Sequence, residues 1–139
     1  MKRILTTLLI ITFCCLANAT IPPLLPMPQK SAFTGKYVKA DVPVNEKIVS
    51  HIDGAIFQDE AYHILITSKG VNIEATTQRG LYWARQTMAQ LKTDKKGKQL
   101  LPLCEITDWP AFRIRGYMHD IGRSYIPVDE LKAEIAMLS

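Results

Sequence analysis

The run AYHILITSKGVNIEA, Ala61 to Ala75, constrains the fold more than any other stretch of this chain. Tyr62, Ile64 and Ile66 alternate with His63, Leu65 and Thr67. Lys69-Gly70 then interrupts, and Val71, Ile73 and Ala75 alternate with Asn72 and Glu74. Apolar residues at every second position mark a strand with one buried face, so the spacing predicts a β-hairpin. The following residues, QRGLYWARQTMAQLK, change period. Leu81, Ala84, Met88 and Leu91 fall on one face of a helix for which Thr77 is the N-cap. A sheet with one apolar face, followed by a helix with one apolar stripe, predicts that the helix packs on the sheet.

Around this centre the signals are shorter. TIPPLLPMPQK is proline-rich and predicts an extended lead-in, because each proline pushes its predecessor out of helical space. AFTGKYVKA predicts a first strand. PVNEKIVSHI predicts a short helix, with Pro43 near its first turn and Val44, Ile48 and Ile52 along one stripe. KTDKKGK, Lys92 to Lys98, contains Gly97 and no aromatic residue and predicts a solvated loop. LLPLCEIT predicts another strand, and Asp108 and Pro110 a turn in which Trp109 is held extended.

Beyond the turn, FRIRGYMHDI predicts a new strand. Phe112, Ile114, Gly116, Met118 and Asp120 share one parity, and Arg113, Arg115, Tyr117 and His119 the other. PVDELKAEIAML predicts a helix with Pro127 at its first position and Asp129 and Glu130 at the positive end of its dipole. Val128, Leu131, Ile135 and Leu138 form its stripe. The reading is a small α+β unit followed by one strand and one helix, and such a βα step needs neighbours on both faces.

The N-terminus is read separately. MKRILTTLLIITFCCLANAT has a basic start, an apolar run too short to span a bilayer and the small-x-small sequence Ala17-Asn18-Ala19, the layout of a secretory signal peptide over residues 1–19. Cys14 and Cys15 raise lipid attachment as an alternative, but Phe13 is bulky where lipoprotein processing favours a small residue, and cleavage after Ala19 fits better. The expected location is outside the cytoplasm, periplasmic or extracellular. Cleavage leaves Cys104 as the one cysteine, with no internal disulfide available and a small buried strand residue as its ordinary role.

The chain is 47% hydrophobic and 22% charged, an ordinary globular balance. Loss of Lys2 and Arg3 leaves 15 of its 17 basic residues against 13 acidic, about +2, too little to argue for nucleic acid. His51, His63 and His119 are scattered and make no metal spacing, and no cofactor is expected.

Two motifs then carry a resemblance. In GLYWARQTMAQL, the residues Gly80, Leu81, Gln86, Thr87, Gln90 and Leu91 fit a G-L-…-Q-T-…-Q-L pattern. In DWPAFRIRGYMHDIGRSYIP, the residues Asp108, Pro110, Phe112, Arg115, Gly116, Asp120, Arg123 and Pro127 fit D-x-P-x-F-x-x-R-G-x-x-x-D-x-x-R-x-x-x-P. Both resemble glycoside hydrolase family 20, the β-N-acetylhexosaminidases, over roughly Pro26 to Ser139. The resemblance implies a proline-rich lead-in and small non-catalytic domain over 20–107, built on a four-stranded antiparallel sheet with helices. It also implies the first strand and helix of a truncated (β/α)8 catalytic barrel over 108–139. Under that reading the chain is an N-terminal fragment. Ala111 stands where an arginine is common, His119 where an aliphatic residue is usual and Ser124 where a histidine is usual, and the segment between the first strand and EAYHI is short.

The chemistry implied is substrate-assisted, retaining hydrolysis of terminal N-acetylglucosamine or N-acetylgalactosamine. The sugar's own acetamido group attacks the anomeric carbon, an exception to the two-carboxylate scheme. The paired Asp-Glu that serves it belongs to a later barrel strand. Asp59-Glu60 precedes a hairpin strand and Asp129-Glu130 fills a first helical turn, so no catalytic residue is expected in this chain. Arg115 is the expected substrate contact, because the family's matching arginine reaches the hydroxyls at positions 3 and 4 of the terminal sugar. Its alternative is an ion pair with a buried carboxylate inside the barrel. Asp120 and Arg123 are expected to tie the strand-to-helix junction together, and His119 shares the parity of Arg115. A rival reading from another class is a non-catalytic carbohydrate-binding or interaction module.

Overall fold

The computed structural model describes residues 23–120, 122–123 and 125–138; the predicted signal peptide lies outside them. The chain forms β1 (Lys30–Lys39), β2 (Val44–Ile48), β3 (Tyr62–Thr67), β4 (Gly70–Ala75), α1 (Gln78–Leu91), β5 (Thr93–Lys95), β6 (Lys98–Asp108) and α2 (Val128–Leu138). A 3-10 turn over Gln58–Glu60 leads into β3. The sheet is six-stranded in the order β1-β6-β3-β4-β2, with β5 paired to β6.

The central hairpin forms as its alternation predicts. Tyr62, Ile64 and Ile66 of β3 and Val71, Ile73 and Ala75 of β4 are buried on one face, with Ile64 opposite Ile73. Helix α1 covers that face with Leu81, Ala84, Met88 and Leu91, and Leu101, Cys104 and Ile106 of β6 complete the core. Complete burial of an isoleucine such as Ile64 contributes about 2–3 kcal/mol of transfer free energy. Thr77 caps α1 as expected, its hydroxyl oxygen accepting from the Gly80 amide at 3.2 Å. Gly80 is fixed by space, because a Cβ there would lie 2.5 Å from the Ala61 carbonyl oxygen and 3.2 Å from the Ala75 methyl. Cys104 is buried in β6, which pushes its thiol pKa up to about 12.

Four expectations are corrected. The predicted helix from Pro43 is strand β2, running parallel to β4 with Val44 opposite Val71 and Ile48 opposite Ala75. Positions 44 and 48 share a face under a period of two as well as in a helix, and pairing with β4 decides between them. The bidentate fork of Arg85 on α1 to Glu46, at 2.9 and 2.5 Å, fastens this strand and holds the Glu46 carboxyl below its ordinary pKa. The predicted lysine loop is β5 with a tight turn into β6. Lys96 and Gly97 both take positive φ there, and Asp94 accepts the Gly97 amide at 2.9 Å. The small domain is therefore a six-stranded mixed sheet instead of a four-stranded antiparallel one.

The fourth correction concerns FRIRGYMHDI. Its described residues form no strand, and α2 beyond it buries no side chain among the described residues. Among the described residues no strand lies beside that backbone to pair with it, and an unpaired edge alone does not make a sheet. The barrel's first strand is therefore not seen.

Candidate functional site

A groove of about 500 Å3 lies between the lead-in, α1, the end of β6 and the last turn of α2, with Leu25, Trp83, Gln86, Trp109, Phe112 and Arg115 among its walls. Its floor is held by polar staples. Gln90 of α1 donates to the Leu25 carbonyl and accepts the Leu25 amide, each at 2.9 Å, which pins the lead-in to the helix. Asp108 accepts the Gln29 amide at 2.9 Å on one oxygen and the Tyr62 hydroxyl at 2.8 Å on the other. Thr87 donates to the Tyr62 oxygen at 2.6 Å, since the phenolic proton goes to Asp108. Burial and the neighbouring Asp108 charge raise the Tyr62 pKa, so the phenol stays neutral.

These staples explain most of the first motif in structural terms. Leu81 and Leu91 are core, Gly80 is a close approach, and Thr87 and Gln90 tie α1 to β3 and to the lead-in.

One wall of the groove carries charge. Glu60, at the end of the 3-10 turn, is 8% exposed and is the one buried charged residue among those described. Its Oε2 accepts the Trp83 indole N–H at 2.8 Å and the Arg115 Nη2 at 2.5 Å, and its Oε1 lies 3.8 Å from Arg79. Arg115 also donates from Nη1 to the Phe112 carbonyl at 2.8 Å, and its guanidinium sits 5.8 Å from the Trp83 ring. Next to it, Arg113 lies 3.6 Å from Asp59. Asp59 and Glu60, which the sequence set aside as catalytic candidates, thus receive Arg113 and Arg115 of the segment beyond β6. Glu60 was missed because nothing local marks it; its partner stands 55 positions downstream.

The other sequence candidates fall elsewhere. His119 is hydrogen bonded to Glu134 of α2 at 3.0 Å and stacks edge-on with Tyr117. Asp120 pairs with Arg123 at 3.5 Å and accepts the Gly122 amide at 2.8 Å, a local knot at the junction where they were expected. Among the described residues, no His, Cys, Asp and Glu side chains are gathered as a metal site, and no helix is long and apolar enough to cross a membrane.

This geometry can be set beside known proteins. The family described as glycosyl hydrolase family 20, domain 2, matches residues 26–109, more than half of the chain. A β-hexosaminidase of Porphyromonas gingivalis is 30% identical over 105 residues, covering 70% of this chain and 14% of that protein. The N,N'-diacetylchitobiase of Vibrio harveyi is 29% identical over 111 residues, covering 79% of this chain and 12% of that protein. The solved structure of a Vibrio harveyi family 20 exo-β-N-acetylglucosaminidase with N-acetylglucosamine superposes with a TM-score of 0.70 at 21% identity. It covers 84% of this chain and 24% of that one. The chain therefore belongs to glycosyl hydrolase family 20, and its sheet and α1 are that family's domain 2. It spans about an eighth to a seventh of the length of these two curated relatives.

Proposed function

We propose that this chain serves a β-N-acetylhexosaminidase that removes terminal N-acetylglucosamine or N-acetylgalactosamine from glycans by substrate-assisted retaining catalysis. The family match over residues 26–109 carries the reading, and the relatives' printed names point the same way. In this reading the chain contributes the small domain and the start of the catalytic barrel over 108–139. The catalytic Asp-Glu pair comes from elsewhere, because Glu60 is engaged by Arg115 and Trp83, and Asp129 and Glu130 lie in the first turn of α2. Arg115 is the residue that meets the sugar. It lines the groove beside an indole, and a fixed guanidinium fork suits two neighbouring hydroxyls. The protein works outside the cytoplasm, delivered by the signal peptide over residues 1–19.

The test is to purify the product of the native gene, determine its intact mass, and assay it with an aryl N-acetyl-β-glucosaminide. Turnover is expected, and Arg115→Ala is expected to lower kcat/KM about a hundredfold. The chain of 139 residues by itself is expected to show none. A native product that binds such sugars and hydrolyses none of them would replace the enzyme by a binding module.

A further inference from the structure

We propose that Glu60 is the positioning residue for Arg115: it holds Nη2 of the guanidinium so that the remaining N–H donors face the groove. A carboxylate 8% exposed is costly unless its charge is met, and Arg115 meets it at 2.5 Å. Trp83 fixes the same oxygen at 2.8 Å and lies beside the guanidinium, while the Phe112 carbonyl holds Nη1 at 2.8 Å. Both terminal nitrogens of the arginine are thereby held, with the Trp83 ring beside them.

A guanidinium has five N–H donors, and these bonds use two. The others, including Nε–H, have no partner among the described residues, and the side chain is 41% exposed at the groove. A preset fork loses less freedom on binding a pair of hydroxyls than a solvated one. Sugar recognition by Arg115 would then depend on a carboxylate of the sheet domain, which deepens the function proposed above and rests on it for the identity of the ligand.

The pair is tested on the full chain by nitrogen-15 NMR, following exchange of the arginine Nη–H protons, which include the two donors held by Glu60 and Phe112. In the native sequence Arg115 should exchange at least about tenfold more slowly than Arg113 and Arg123, whose side chains are 76% and 92% exposed. Glu60→Ala should bring Arg115 to the rate of Arg123 while the backbone amides of β3, β4 and β6 keep theirs. Glu60→Gln, which keeps an acceptor and removes the charge, should fall between. Asp59→Asn should leave Arg115 unchanged.

An Arg115 that exchanges as fast as Arg123 in the native chain overturns the proposal, and this comparison stands even where Glu60→Ala fails to fold. An Arg115 unmoved by Glu60→Ala overturns it too. Titration with the methyl glycoside of N-acetylglucosamine supplies the second readout. A shift at Arg115 in the native chain that is lost in Glu60→Ala is expected, and equal shifts in both overturn the positioning role. Absence of any shift in either chain strikes at the sugar reading, while the exchange rates still decide the pair.

Discussion

The chain divides at Trp109 into two regions of opposite character. From Leu24 to Trp109 the apolar side chains of β3, β4, α1 and β6 close on one another, and Ile64, Ala84, Leu91 and Ile106 are fully buried. From Pro110 onward no described residue is buried, and Phe112, Ile114, Met118, Ile135 and Met137 stand exposed. Both regions have apolar residues at regular spacing. The difference teaches that patterning states only which face wants cover, and burial requires a second element within reach. The hairpin has α1 immediately after it in sequence. The residues from Phe112 and the stripe of α2 have no such neighbour among the described residues, and their firm attachments are polar: Arg115 to Glu60 and His119 to Glu134.

The contrast breaks first at the core. Ile64→Ala should cost about 3 kcal/mol in denaturant unfolding, whereas Ile114→Ala should change stability by less than about 0.5 kcal/mol. Equal losses would mean that the second region packs as the first does. Gly80→Ala should cost about 2 kcal/mol, because α1 must move away from the Ala61 carbonyl and from Ala75 of β4 to admit a methyl group; an unchanged midpoint would show that the helix can shift freely. Asp108→Asn should cost about 1–2 kcal/mol, since an amide cannot accept both the Gln29 N–H and the Tyr62 O–H as the carboxylate does.

A pH series sharpens the same comparison. Cys104 and Tyr62 both have raised pKa values in the folded chain, so the native state holds protons that the unfolded state releases. Their contribution is whole below the ordinary thiol value of 9.0 and falls as pH rises from there toward about 12. Stability should therefore decline in that window, and Cys104→Ser should remove part of the decline. Labelling of Cys104 by a thiol reagent at pH 8 should be slower than in the unfolded chain by about a hundredfold or more. The smallest effect belongs to α2: Ile135→Ala should shift the unfolding midpoint by less than the error of measurement, and a loss above about 1 kcal/mol would reveal cover for that face.

Elements whose signal is local were legible. The hairpin, α1 with its Thr77 cap, β1, β6 and the acidic first turn of α2 follow from spacing and capping within a few residues. β2 was not, because Val44 and Ile48 satisfy a helical and a strand period alike. β5 is only Thr93–Lys95 and its charged residues carry no alternation. Arg115 could be singled out from its motif, but its partner could not.

What the sequence determined by itself is the set of faces of its most strongly patterned elements: which side of the hairpin, α1 and α2 is apolar, and which residues belong to the family pattern. What only the tertiary structure decided is who meets whom. It made Pro43 to Ile48 the approach and strand of a parallel edge, left the residues from Phe112 without a ladder, and joined Glu60 to Arg115. Periodicity is written within a few residues. An ion pair between positions 55 apart depends on the path of the whole chain between them.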